Sequence, residues 1–567
     1  MLAEPVQIIG GYMSKINYTN WDKGDLIKEI EKLKERTKKK YGILWEEKSE
    51  EVANLCKEKL PILIENKEKM IKTDNKKLVN ILIEGDNYHA LSVLNYTHNG
   101  KIDVIYIDPP YNTGNGGSFV YNDKIVDRED TYRHSKWLSF MNKRLKLAKT
   151  LLAKNGILFI SIDENEIAQL KLLCDYIFDE NNLVAINVWR KVVGGKSQGK
   201  ISTQHEYVLT YARDIEHLEV RTLPLTESLL KKYKYEDKRG KYDLRELAQG
   251  KGLSYSETLY YEIEAPDGTM IPKPPKDKGY RWSKEKWIWG MKQNPVYCII
   301  KKVKGRWVPF VKQYLDYDNE GNYIERGIWP HTWLDEHGFT RTGTKEVDDL
   351  IGEGKFEHPK PVKLIKYLVG LHPNKSGIVL DFFAGSGTTA QATMELNKED
   401  AGDRKFILCT NNENGICEEV CYPRIKQVIK DLNRDNISKL AKGDTGSLKY
   451  FTTGFVDAKP TDKNKKLLVD KSTEMLCIKE DCFENFKSGQ EFKIFKNYGE
   501  RYLGIVYSDE GIDNIKKHIK EINKKMIVYV FSLDESDREE EFEDVLNLVE
   551  LKPIPAVILN VYKRIFR

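Results

Sequence analysis

The 567-residue chain is longer than one compact core usually holds, so several structural units are expected. Hydrophobic residues at 40%, charged residues at 32% and a mean hydropathy of -0.57 fit a globular protein with a real core and exclude disorder as the default. The net charge of +5 barely favours an anionic partner, so local clustering of charge has to decide.

Residues 1–72 are rich in Lys, Glu and Leu, with Leu26, Ile30 and Leu33 at helical spacing, and predict peripheral helices. The opening fifteen residues carry Glu4 and lack a basic leader followed by an apolar segment. Apolar stretches such as 378–384 are far too short to span a bilayer, so a cytoplasmic protein without membrane contact is expected. The close cysteine pairs Cys417/Cys421 and Cys477/Cys482 lack the spacing of a zinc site, and no metal is expected.

From residue 73 to 213 short apolar runs (78–84, 104–107, 157–162 and 205–211) alternate with amphipathic helices such as 137–154, the pattern of a parallel α/β sheet. Residues 214–354 break that texture. They are loop-rich, basic and aromatic, with turn signals at Pro266-Asp267-Gly268 and Asn319-Glu320-Gly321, and predict an inserted domain. The α/β texture resumes over 355–440, with a helix 361–371, a strand 377–382, a helix 388–396 and a strand 405–409. Residues 441–567 mix strand-like and helical pieces and predict an additional C-terminal α+β domain for interaction or dimerisation.

The strand 104–107 delivers Asp108-Pro109-Pro110-Tyr111 to the C-terminal edge of the sheet, where open α/β folds place their ligands. An amine on an aromatic ring is a poor nucleophile because its lone pair is delocalised. A carboxylate and a carbonyl, each accepting one N–H, can draw that lone pair out of the ring plane. Asp108 and the Pro109 carbonyl supply such a pair, Pro109 and Pro110 stiffen the backbone that holds it, and Tyr111 offers a flat face for an extruded base. A bland alternative is that the prolines end a strand and Asp108 caps the next segment.

A second turn, Asp381-Phe382-Phe383-Ala384-Gly385-Ser386-Gly387, links a strand to a helix. Its glycines let the backbone approach a ligand, and the helix N-terminus presents free N–H groups. No lysine follows Gly387, which argues against triphosphate binding, and the dinucleotide fingerprint is incomplete.

Together these motifs resemble the amino-methylating DNA methyltransferases of the β arrangement, in which DPPY precedes FxGxG. The fullest likeness, over residues 40 to 430, is to modification subunits of type III restriction systems, and includes 41–46 and Tyr121-Asn122-Asp123. That resemblance implies a Rossmann-like sheet interrupted by a target-recognition domain. It implies S-adenosylmethionine as cofactor, with Asp381, Phe383, Ala384, Gly385 and Gly387 at its methionine part and Lys360 and Pro361 in the preceding segment. It also implies Asp86 at the adenine, unless Asp86 is only a helix cap, and Glu413 at the ribose among Asn411, Asn412 and Glu413.

The implied reaction is methylation of adenine N6 in double-stranded DNA by base flipping and direct displacement. Cytosine N4 is the nearest rival, usually with Ser in place of Asp108, and a non-catalytic recognition subunit is another. The implied partners are a second copy of the chain and a restriction (helicase/nuclease) subunit. In the insertion, Lys232, Lys234, Arg281, Trp282 and Lys286 interleave cations with aromatics and are the expected DNA contacts.

Overall fold

The computed structural model describes residues 50–73, 78–113, 132–194, 201–249, 256–275, 278–434, 445–534, 536 and 538–566, together with 23, 24, 26, 27 and 45. Most of the predicted N-terminal helices, the 41–46 segment apart from Trp45, and Tyr121-Asn122-Asp123 lie outside the described residues.

In chain order, the first half comprises α1 (Glu51–Glu58), β1 (Lys59–Glu65), β2 (Val79–Glu84), α2 (Asn87–Thr97), β3 (Ile102–Ile107), α3 (Arg133–Leu151), β4 (Leu152–Ile162), α4 (Ile167–Phe178), β5 (Leu183–Arg190) and β6 (His205–Ala212). The insertion contributes β7 (Leu223–Pro224), β8 (Tyr235–Asp237), β9 (Gly240–Glu246), α5 (Lys284–Lys292), β10 (Cys298–Val303), β11 (Arg306–Tyr314) and β12 (Gly327–Ile328). Next come β13 (Trp333–Leu334), α6 (Thr340–Ile351), α7 (Val362–Gly370), β14 (Ile378–Asp381), α8 (Thr388–Asp400), β15 (Lys405–Thr410), α9 (Tyr422–Arg434) and β16 (Ser447–Asp457).

These form a ten-stranded sheet in the order β1-β16-β2-β15-β14-β3-β4-β6-β5-β13. Strands β16 through β4 run parallel, whereas β6 is antiparallel to both β4 and β5. Strand β3 shows why the sheet is covered on both faces. Ile105 and Ile107 pack with Leu94 of α2 and Met141 and Leu145 of α3, whereas Val104 and Tyr106 pack with Leu364 and Leu368 of α7 and Ala392 of α8. Its neighbours β14 and β4 come from distant parts of the chain, so the sheet order reverses at β3. A crevice at such a switch point is where open α/β sheets bind ligands.

Sequence and structure part company in four places. Residues 59–65, expected in peripheral helices, form edge strand β1 against β16, and Pro61 is tolerated there because an edge strand need not donate every N–H. Strand β16, expected beyond the catalytic sheet, pairs in parallel with β2 inside it. Strand β5 was absent from the expected set and pairs with β6, and β13 with α6 stands outside the insertion. The insertion is pinched where β7 pairs with β12, and above that neck it carries its own sheet, β10-β11-β9-β8.

The C-terminal segment adds β17 (Glu484–Ser488), β18 (Phe492–Lys496), β19 (Tyr502–Val506), β20 (Met526–Phe531), β21 (Val549–Ile554) and α10 (Ala556–Phe566). Its five strands form one sheet in chain order, antiparallel as far as β19 and parallel from there to β21. Leu503, Tyr529 and Tyr562 join the same core as Leu91 and Leu94, and the Tyr562 hydroxyl donates to the Pro61 carbonyl. No helix among the described residues is long and apolar enough to cross a membrane.

Candidate active site

Strand β3 is buried along its whole length and ends on Asp108, whose side chain is 28% exposed. Trp137 Nε1 donates to the Pro110 carbonyl at 2.7 Å, so that carbonyl is taken and the preceding turn is pinned to α3. Asn112 closes the turn with φ +56°, a left-handed backbone that asparagine tolerates. Its amide donates to Glu166, a fully buried carboxylate that also bonds His134 Nδ1 at 2.7 Å.

The side chains above this turn form an ionic cluster. The Lys360 ammonium donates to both Asp108 oxygens, at 2.9 and 2.8 Å, and to the Tyr111 hydroxyl at 2.8 Å, and it lies 3.3 Å from Glu206 Oε2. Tyr111 donates to Asp108 Oδ1 at 2.7 Å and contacts Glu206 Oε2 at 3.2 Å, while Lys191 reaches Glu206 Oε1 at 3.2 Å. Burial alone would lower the Lys360 ammonium, but Asp108 and Glu206 together outweigh it and hold it above the ordinary lysine range. Burial would likewise raise Glu206, and the ammonium groups of Lys360 and Lys191 bring it below the ordinary range instead.

Two sequence expectations are thereby modified. Lys360, expected beside the cofactor turn, sits on Asp108. The Tyr111 ring, expected as an open stacking face, is buried and has the Lys360 ammonium 5.0 Å from its centroid. Glu206 falls within the run 205–211, which the sequence marks only as a strand of the sheet. A carboxylate in the mostly buried strand β6 was the available signal, because a buried charge needs a partner.

The second turn leaves β14 one strand away. Asp381 is buried and locks the turn, accepting from the Phe383 N–H at 2.9 Å and from Thr389 Oγ1 at 2.6 Å. Burial pushes its carboxyl up to about 7 despite those two bonds. Gly385 and Gly387 have φ of +50° and +79°, and a Cβ on Gly387 would lie 3.0 Å from Cys421 Sγ. Ala384 N–H donates to the Cys409 carbonyl, and Asn87 Nδ2 reaches the Phe382 carbonyl at 3.1 Å, so the turn after β14 is tied to β15 and to the start of α2. Pro361 precedes the first residue of α7.

Asp86 does act as a helix cap, accepting from Tyr88 N–H at 2.7 Å, but 30% of its side chain remains exposed. Glu413 is half-buried just past β15. Beside it, Thr410 Oγ1 and Asn411 Oδ1 are buried without a hydrogen-bond partner among the described residues. Buried unsatisfied oxygens at a strand end fit a polar ligand that completes their bonding, as ribose hydroxyls and an adenine would. The turn glycines, the N-terminus of α8 and these oxygens together match the donor and acceptor set that S-adenosylmethionine needs.

In the insertion Trp282 is only 5% exposed, packed with Tyr280, Trp287 and Tyr297 in the local core. It is therefore core rather than a DNA-facing aromatic. Arg281 donates to the Glu246 carbonyl, and Lys286 pairs with Glu320 at 3.0 Å. Lys232 and Lys234 are exposed.

A family model described as DNA methylase matches residues 102–420, more than half of the chain, from β3 to just beyond β15. The chain belongs to this family. It is 36% identical over 406 residues to the type III restriction-modification enzyme StyLTI Mod subunit of Salmonella typhimurium, covering 65% of this chain and 58% of that one. It is 33% identical to the EcoPI Mod subunit of Escherichia phage P1, covering 67% and 65%, and 32% identical to the type II methyltransferase M.KpnI of Klebsiella pneumoniae, covering 61% and 84%. The chain thus spans less than two thirds of the length of the two Mod subunits.

Proposed function

We propose that the chain is an S-adenosylmethionine-dependent DNA methyltransferase acting on adenine N6, and the modification subunit of a restriction-modification system. The observation that carries this reading is the adjacency of two loops at the β3/β14 switch point. One presents a partly open carboxylate, and the other a glycine turn with a helix N-terminus.

S-adenosylmethionine, when bound, supplies an electrophilic methyl group on a sulfonium. Asp108 and the Pro109 carbonyl accept the two N–H bonds of the target amine and turn its lone pair out of conjugation. The amine nitrogen then forms the new N–C bond as the S–C bond breaks, and Asp108 lies within reach of the proton the amine must lose. No metal and no covalent enzyme intermediate enter. Aspartate rather than serine at position 108 favours adenine over cytosine N4, and the intact cluster favours an enzyme over a non-catalytic recognition subunit. Double-stranded DNA as substrate, a second copy of the chain, a helicase/nuclease partner and a cytoplasmic location belong to the same proposal, which the likeness to type III Mod subunits supports.

The test is incubation of the purified protein with S-adenosylmethionine and genomic DNA, followed by single-molecule mapping of modified bases. N6-methyladenine at a short defined sequence is expected. Unmodified DNA, or methyl groups on cytosine alone, would overturn the assignment.

Asp381 makes a pH-dependent prediction. In the free protein its carboxyl is largely protonated below about 7, and the cationic methionine end of the cofactor favours the ionised form. Affinity is therefore expected to rise as pH increases through this range, by up to about tenfold per unit, and to level off above it. Calorimetry in two buffers of different ionisation enthalpy should register one proton released at pH 6 in wild type. None is expected in Asp381→Asn.

The insertion makes another. Trp282→Ala is expected to cost about 3 to 5 kcal/mol of the insertion's stability, because it empties a packed core. Proteolysis within residues 224–327 would report it. Lys232→Ala and Lys234→Ala should leave stability unchanged, and each should reduce the salt dependence of DNA binding by about one phosphate contact. A salt slope identical to wild type in both would place the phosphate contacts elsewhere.

A further inference from the structure

We propose that Lys360 is a base-mimicking plug: its ammonium holds the seat of the target amine on Asp108 and is displaced onto Glu206 when an amine-bearing base enters. The inference rests on the adenine reading above. The ammonium spans both Asp108 oxygens at 2.9 and 2.8 Å, and so covers the carboxylate that must accept one N–H of the amine. Glu206 stands 3.3 Å from that nitrogen, so a receiving carboxylate is already in place. Tyr111 touches all three groups, which lets its hydroxyl follow the ammonium without losing its partners.

The charges balance as a quartet, with Lys360 and Lys191 against Asp108 and Glu206. Moving Lys360 by a short shift keeps the cluster neutral and leaves Asp108 needing an N–H donor. An adenine amine supplies it. A purine without that amine does not, and hypoxanthine would set its carbonyl oxygen against the carboxylate. Exchange of one donor for another therefore makes Lys360 a specificity-determining residue: it returns to Asp108 whenever the extruded base has nothing to donate. The Tyr111 ring, which packs in the main core, carries the same ammonium 5.0 Å from its centroid, so one group faces both the ring and the carboxylate.

The experiment uses a duplex carrying the sequence found by the methylation mapping, with 2-aminopurine, which lacks an amine at C6, at the target position. Its fluorescence rises when the base leaves the stack. Lys360→Met, with the plug removed, is expected to give about threefold or more the fluorescence of wild type at saturating protein. Glu206→Gln, with the receiver removed, is expected to fall below wild type. Opposite signs from two variants of one ion pair are not the signature of a general loss of structure. Fluorescence of Lys360→Met equal to or below wild type, with melting temperature and cofactor affinity retained, would overturn the plug. If Lys360→Met does not fold, Glu206→Gln decides alone, and no decrease overturns it. Failure of the wild type to methylate adenine would instead remove the reading on which the plug rests, so the two failures are told apart.

Discussion

Replacing Asp108 with alanine is expected to lower the rate of methyl transfer by at least about 100- to 1000-fold, the usual cost of losing a pre-placed hydrogen-bonding partner at a reacting centre. The loss should be mainly in the chemical step. Without the carboxylate only the Pro109 carbonyl remains to accept an N–H, so the amine keeps most of its conjugation with the ring. The rest of the cluster has reason to survive, because Lys360 retains Glu206 and Tyr111 retains the same carboxylate. DNA and cofactor binding should therefore persist while turnover collapses. Single-turnover incorporation of labelled methyl groups, beside binding isotherms for both ligands, measures the two separately. Asp108→Asn is expected to be slowed less, because its amide oxygen can still accept one N–H while the negative charge that takes up the proton is lost. Near-normal turnover in Asp108→Ala would refute the lone-pair mechanism.

Strands β3, β4, β14 and β15 were legible because a parallel strand covered on both faces reads as a continuous apolar run. The two functional turns were legible for a related reason: each follows directly on such a run, and paired prolines or paired glycines have few other uses there. What escaped the sequence depends on contacts between distant residues. Nothing local to Lys59–Glu65 announces that its partner is Ser447–Asp457, nearly four hundred residues away, and its charged ends disguise it as part of a helical region. Lys360 lies next to the cofactor segment in sequence, yet its long side chain carries the ammonium to Asp108, 252 residues earlier. Trp282 shows the opposite limit. An aromatic flanked by cations looks like a DNA contact, but the cations reach solvent while the ring fills the core of the insertion.

Gly85→Ala is the most damaging small substitution expected outside the ionic cluster, and it tests whether β16 belongs to the catalytic unit. Gly85 follows β2 with φ +154°, and its N–H donates to the Thr410 carbonyl of β15. A Cβ there would fall 2.1 Å from Thr453 Oγ1, 2.6 Å from Cγ2 and 2.9 Å from Cβ, all on β16. Rotation of Thr453 can move the first two atoms but not the third. The backbone conformation costs about 1 to 3 kcal/mol for any L side chain and the overpacking a similar amount, so about 3 kcal/mol of stability should be lost. Thr453→Ala in the same chain should restore only part of it, because the steric component is relieved and the backbone component is not. The consequence reaches the site through Asp86 and Asn87, which follow immediately. Asn87 holds the Phe382 carbonyl, so a displaced turn after β2 loosens the glycine turn after β14. Denaturant titrations of the single and double variants, with cofactor affinity measured on each, should therefore show stability and affinity falling together and recovering together. Recovery of stability without recovery of affinity would mean that the two turns are not mechanically linked.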